Sequence, residues 1–238
     1  MWWAGRAACT EVWLGRSFAG LSVPGLVEPG LSQQGFATAE QSAVWLEQAM
    51  ASRQASKRWA VMLGSGLARP FVFKPPQGLK THLELRAIAA SLAADETGLT
   101  DDTQLWVSGP DEAGDRLAVV ADAAALMRIE AAAKRAGARL VSVRPGWVVL
   151  TNGPSLPEVS GSDEVARLLF ASDPDGVTAV AGTRQRWLWA GAVDRPVADA
   201  DAVAWRTRVA LRLQAEARAF EFALDGLAWV PRSARSVA

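Results

Sequence analysis

Two stretches between Arg58 and Pro145 share one layout, strand–turn–strand followed by a helix, and this tandem constrains the fold more than any other feature of the chain. The first copy reads RWAVMLGSGLARPFVFKPP, two apolar runs around Gly64-Ser65-Gly66, followed by the helical pattern THLELRAIAASLAADETG. The second reads TQLWVSGPDEAGDRLAVVADAAALMRIEAAAKRAGARLVSVRP, again two strands, a helix and a returning strand. Strand pairs alternating with single helices point to α/β layers rather than to a helical bundle or a sandwich. Neither copy contains a catalytic motif, so the chain reads as a docking or assembly platform rather than an enzyme.

Local signals place the elements. Thr81 followed by Glu84 has capping-box spacing, Leu85, Ile88 and Leu92 share a helix face, and Gly98 stands just past the end. Asp122 caps the next helix, which buries Leu126, Ile129 and Ala133 and stops at Gly137. Near the start, EVWLG and SFAGLSV read as two short strands turning near Arg16, and Thr38 with Gln41 opens a helix carrying Leu46 and Met50. Strands are predicted at 140–143 and 147–151, then a helix starting near 160–162 with Val165, Leu168 and Leu169 on its buried side. Strands at 177–181 and 185–193 meet at Gly182, a long helix covers about 199–218, and 220–230 supplies a last strand. The Gly/Pro/Ser-rich loop 152–162 divides the chain into lobes at 1–151 and 152–238. Leu117, Val119, Leu126, Ile129, Leu140 and Val143 are the predicted core between sheet and helix.

Composition removes several classes. A chain of 238 residues, half of them hydrophobic and with zero formal net charge, is neither disordered nor suited to a polyanion. Nucleic-acid binding is therefore not expected. Cys9 is the lone cysteine, which rules out an intrachain disulfide and points to a reducing compartment. Cys9 and His82 together cannot build a zinc site, so no metal is expected. The N-terminal MWWAGRAACTEVWLGR lacks the apolar core of a secretory signal, and no apolar run approaches the roughly 20 residues needed to cross a bilayer. A soluble cytoplasmic chain is the expectation.

Each candidate for chemistry has a plainer structural reading. Gly64-Ser65-Gly66 lacks the third glycine and the immediate helix of a dinucleotide turn, so it reads as a hairpin turn. His82 opens a helix beside its Thr81 cap, without a neighbouring nucleophile. Asp111, Glu112 and Asp115 lack the spacing of a calcium loop and read as a solvated hairpin tip. In the second half, Asp194 and Asp225 are taken as the carboxylates near strand ends, with structural roles. No catalytic residue is assigned, no cofactor is expected, and no cofactor-binding residue is identified.

Eleven tryptophans need explaining. Trp13, Trp59, Trp106 and Trp147 fall in predicted strands and read as core, and Trp187 and Trp189 alternate onto one strand face. Trp2, Trp3 and Trp229 lie near the ends and are partner-binding candidates, because tryptophan anchors interfaces. Arg206 and Arg212, from the basic side of the last helix with Arg208 and Arg218, join them as candidates for an acidic partner or an anionic surface.

Taken together, VMLGSGLARPFVFKPP, THLELRAIAASLAADETGL and RLAVVADAAALMRIEAAAKRAGARLVSVRP resemble the actin-like cytoplasmic proteins of bacterial type II secretion and type IV pilus machines, the GspL and PilM families. The resemblance covers about 58–145, and beyond that only element order and total length. It implies an actin/Hsp70-like (ribonuclease H-like) α/β fold, two lobes of mixed sheets flanked by helices around a central cleft. It also implies a non-enzymatic cytoplasmic scaffold, peripheral to the inner membrane, linking a bitopic inner-membrane protein to the assembly ATPase; a homodimer is a separate candidate assembly, and the oligomeric state is left open by the sequence. The alternative within the same fold is a nucleotide-binding ATPase or phosphotransferase. Against that alternative, the first hairpin reads Leu14-Gly15-Arg16-Ser17-Phe18-Ala19-Gly20 and lacks the aspartate of an acidic-glycine phosphate loop.

Overall fold

Gly64 ends one strand and starts a departure, not a hairpin. β3 (Arg58–Leu63) and β4 (Ala68–Phe73) flank Gly64-Ser65-Gly66 but belong to different sheets. β3 lies in a four-stranded sheet between β1 (Thr10–Leu14) and β7 (Arg139–Pro145), parallel to both, with β2 (Ala19–Ser22) antiparallel to β1 at one edge. β4 pairs antiparallel with β6 (Arg116–Asp122), which pairs antiparallel with β5 (Thr103–Val107), giving a three-stranded sheet. The two copies of the tandem are therefore alike in sequence pattern only. The second is a true hairpin, whereas the first spans two sheets. This computed structural model describes residues 9–22, 39–52, 57–79, 81–99, 102–152, 166–194, 217–225 and 228–237.

The third sheet is built from β8 (Ala166–Asp173), β9 (Gly176–Gly182), β10 (Trp187–Asp194), β11 (Ala217–Asp225) and β12 (Ala228–Val237), in the order β10-β9-β8-β11-β12. Only β8 and β11 run parallel; the other neighbours are antiparallel. Three corrections to the predicted elements lie here. Where the predicted helix carries Leu168 and Leu169 the chain is β8, buried on both faces, so its apolar run carries no alternation to betray a strand, while Val165 lies outside the described residues. The predicted strand at 147–151 is a short helix, α4 (Val148–Asn152), which follows a turn at Gly146-Trp147 and buries Trp147 and Leu150 three residues apart. The long helix predicted over 199–218 lies outside the described residues except for its end, where Ala217 and Arg218 already belong to β11.

The capping signals hold. α2 (His82–Thr97) begins with Thr81 Oγ1 accepting the Glu84 amide at 3.1 Å while Glu84 accepts the Thr81 amide at 3.0 Å, and it ends at Gly98 with φ 68°. α3 (Ala123–Arg135) starts where Asp122 accepts the Ala125 amide at 2.9 Å. α1 (Ala39–Ser52) buries Leu46 as expected; the Met50 side chain and Thr38 lie outside the described residues.

The predicted core forms. Val119, Leu126 and Ile129 belong to the main apolar cluster, with Leu117, Leu140 and Val143 packed against it at partial exposure. That cluster also takes Leu169, Ala171, Val180 and Phe220 from the third sheet, so apolar contact runs from one half of the chain into the other. Trp13, Trp59 and Trp147 are buried, and Trp106 is partly so. Trp187 and Trp189 do not share a face. A bulge between them sends Trp187 to the main cluster and Trp189 to the cluster on the other side of the third sheet.

Candidate functional site

The polar centre of the molecule is the turn between β8 and β9, Asp173-Pro174-Asp175-Gly176. It drives two carboxylates into loops of the first half of the chain. The Asp175 carboxylate accepts the backbone amides of Arg16 at 2.6 Å and Ser17 at 2.7 Å, and the Ser17 hydroxyl at 2.6 Å. Two successive amides and a hydroxyl facing one carboxylate form an anion-binding concavity. Asp173 lies beside it and accepts from the Ser65 amide at 2.7 Å and the Ser65 hydroxyl at 2.8 Å. It also accepts the amides of Asp175 at 2.9 Å and Gly176 at 3.1 Å within its own turn. Asp173 and Asp175 are 5% and 7% exposed, so these are interior contacts rather than surface pairs.

Glycine is required around this junction by contact. A Cβ on Gly66 would stand 2.7 Å from Asp175 Oδ2, and one on Gly15 would stand 2.1 Å from the Phe18 ring. Gly176 is the tightest against backbone, because its Cβ would fall 2.1 Å from the Val193 carbonyl oxygen. The GSG turn is thus not a hairpin. It is the receptor of the Asp173 carboxylate.

Burial pushes the Asp173 carboxyl up from 3.8 to about 6, helped by the neighbouring Asp175 charge and opposed by the hydrogen bonds from Ser65 and Asp175. A carboxyl whose folded pKa exceeds its unfolded one stabilises the fold below its unfolded pKa, and that contribution is lost as pH rises through the folded pKa. The Asp173 contribution should therefore fall by about 3 kcal/mol between about pH 4 and about pH 6. Urea unfolding of the wild type and Asp173→Asn across this range checks it: their difference in stability should shift towards the variant as pH rises. A pH-independent difference would show that burial does not control this carboxyl.

Two further contacts tie the halves together. Arg69 in β4 is buried, donates to the Thr97 carbonyl at 2.8 Å and forms an ion pair with Asp194 at the end of β10. Asp194 thus has the structural role expected of it, whereas the side chain of Asp225 lies outside the described residues. The β5–β6 hairpin tip is not simply solvated. Asp111 caps its own turn through the amides of Ala113 and Asp115, and its other oxygen accepts the Trp187 amide at 2.7 Å. Glu112 N donates to the Gln185 carbonyl at 3.3 Å, and Arg186 stands 4.0 Å from Asp115. The acidic tip is a bolt onto the β9–β10 turn.

Other sequence candidates stand apart from this junction. His82 is exposed at the first turn of α2. Trp2, Trp3, Arg206 and Arg212 lie outside the described residues. The Trp229 backbone pairs with Leu224 in the β11–β12 ladder, and its side chain is outside them too. Among the described residues no group of three or more His, Cys, Asp or Glu is placed to hold a metal ion. Asp173 and Asp175 were missed because reading β8 as helix hid the strand end they occupy. The DPDG stretch between two apolar runs was the signal that could have found them.

Three sheets with helices, and an aspartate turn of the second half set against the first hairpin, make up an α/β fold. No protein-family model and no curated protein sequence matches the chain. A Bacteroides thetaiotaomicron protein with an actin-like ATPase fold and unknown function is 12% identical with a TM-score of 0.59, over 87% of this chain and 77% of that one. A chain of a PilM–PilN type IV pilus biogenesis complex is 15% identical with a TM-score of 0.50, over 79% of this chain and 62% of that one. The cytoplasmic domain of EpsL, an inner-membrane component of the Vibrio cholerae type II secretion system, is 16% identical with a TM-score of 0.48, over 84% and 74%. The chain has an actin-like fold, as the resemblance implied. Among the described residues no helix is long and apolar enough to cross a membrane.

Proposed function

We propose that this chain is a non-enzymatic scaffold of a bacterial secretion or pilus machine, held at the inner membrane by a bitopic partner and in contact with the assembly ATPase. The observation that carries the non-enzymatic part is the junction itself. Its polar groups are spent on one another: Asp173 on Ser65, Asp175 on the Arg16–Ser17 turn, Arg69 on Asp194. A catalytic centre for phosphoryl transfer needs amides and carboxylates facing a substrate and its cation. The similarity in fold to a chain of a PilM–PilN pilus biogenesis complex supports the assembly part. Trp2, Trp3, Trp229, Arg206 and Arg212 remain the candidate partner-binding side chains.

Stable membrane association usually needs more than one signal, and zero net charge gives this chain little electrostatic attraction to lipid. Recruitment by a short segment of a membrane protein, as a groove-bound peptide or an added edge strand, is the expected route. Membrane fractionation of cells lacking candidate bitopic proteins tests this: the chain should move from membrane to soluble fraction. Retention on membranes in the absence of all of them, or equal binding to pure lipid vesicles, would sink the proposal. Magnesium-dependent ATP turnover by the purified chain, abolished by a substitution at the junction, would favour the ATPase reading instead.

A further inference from the structure

The actin-like ATPase fold implies a nucleotide between the two lobes, and the residues of this chain do not fit its phosphates. The β1–β2 turn has what an anion needs: the amides of Arg16 and Ser17 and the Ser17 hydroxyl all face one carboxylate, Arg16 on one oxygen and Ser17 on the other. An anion already belongs there, and it is the chain's own. The space beside the turn is filled as well. Asp175 Oδ2 lies where a Cβ on Gly15, Gly64 or Gly66 would come within 2.5, 3.3 or 2.7 Å of it, and the Phe18 ring covers Gly15 and Gly64. Three glycines from two loops thus close around one carboxylate oxygen.

We propose that Asp175 is a built-in substitute for an anionic ligand: its carboxylate plugs the anion-binding turn of the first hairpin and holds the two halves of the molecule together without a nucleotide. Asp173 sets the plug by accepting the amides of Asp175 and Gly176, which fixes the turn, while its bonds to Ser65 anchor that turn to the β3–β4 loop. A group tethered in this way acts at an effective concentration that a free anion must exceed. An entering phosphate would also meet two buried carboxylates, and like charges set side by side cost several kcal/mol. This inference is independent of the machine proposed above, since it concerns only what occupies the turn.

The test follows the amide resonances of Arg16 and Ser17 in the full ¹⁵N-labelled chain, titrated at constant ionic strength with sodium pyrophosphate and separately with magnesium ATP. In the unchanged chain those resonances should ignore both. In Asp175→Ser, which removes charge and plug together, pyrophosphate should move them saturably, with affinity at least about tenfold above that of the unchanged chain. If that variant does not fold, Asp175→Asn carries the same comparison, because it keeps most of the volume and loses the charge. Saturable movement of these amides in the unchanged chain overturns the proposal, whether or not either variant folds. So does a folded variant that gains no pyrophosphate binding.

Discussion

Asp173→Ala is expected to destabilise the protein by about 3–5 kcal/mol, because it strands several buried hydrogen-bond donors at once. The carboxylate accepts from four donors: the Ser65 amide and hydroxyl, and the amides of Asp175 and Gly176. Alanine leaves all of them facing protein, and each unsatisfied buried donor costs about 1–3 kcal/mol, partly recovered if water enters. Asparagine separates hydrogen bonding from charge. Three of the four bonds fall on Oδ1, an acceptor that the asparagine side chain retains, and only the Ser65 amide loses its acceptor. Asp173→Asn also removes the cost of burying an ionised group, so at pH 7 it should be milder than alanine by at least about 2 kcal/mol. Denaturant midpoints of the two variants check this. Equal losses would mean that the carboxylate oxygens are not what holds the junction.

Ile129→Ala should cost about 2–5 kcal/mol, the range for a large-to-small change in a packed core. Ile129 is 1% exposed and lies on α3, facing the main cluster with Leu126 and Ala133. Its place in the range depends on how far the cavity collapses. Val119, Leu126 and the sheet beneath are themselves packed on several sides, which argues for the upper half. Met127, on the same helix, is 59% exposed, and Met127→Ala should change stability by less than about 0.5 kcal/mol. Thermal or urea unfolding of the pair checks the assignment, and a similar loss for both would put α3 the wrong way round.

Where sequence reasoning succeeded, the interaction was short-range. The Thr81–Glu84 box, the Asp122 cap and Gly98 at φ 68° are satisfied within a few residues of chain, so their pattern is visible in the sequence. The buried face of α3 was legible for the same reason, since one helix side repeats every three to four residues. Where it failed, the deciding contact came from far away. β8 is buried on both faces, and on one of them Leu169 and Ala171 join a cluster built largely from the first half of the chain, which erases the alternation that identifies a strand. The β-branched residues of 147–151 favour a strand, yet Val149 donates to Gly146 at 3.2 Å and Leu150 to Trp147 at 2.9 Å, closing a short helix after β7.

By itself, the sequence determined the α/β alternation, the caps, the core face of α3 and the actin-like resemblance, because each rests on local pattern or on element order. Only the tertiary structure decided that the strands around Gly64-Ser65-Gly66 part into two sheets and that the acidic tip at Asp111 is bolted to the β9–β10 turn. It alone brought Asp175 to Arg16 and Ser17, about 160 residues apart in the chain. Aspartate and glycine are ordinary turn residues, and nothing within DPDG says what the turn will touch. Its role comes from desolvation: once β8 and β9 place the carboxylates in the interior, they must find donors, and the donors within reach are the amides of the opposite half.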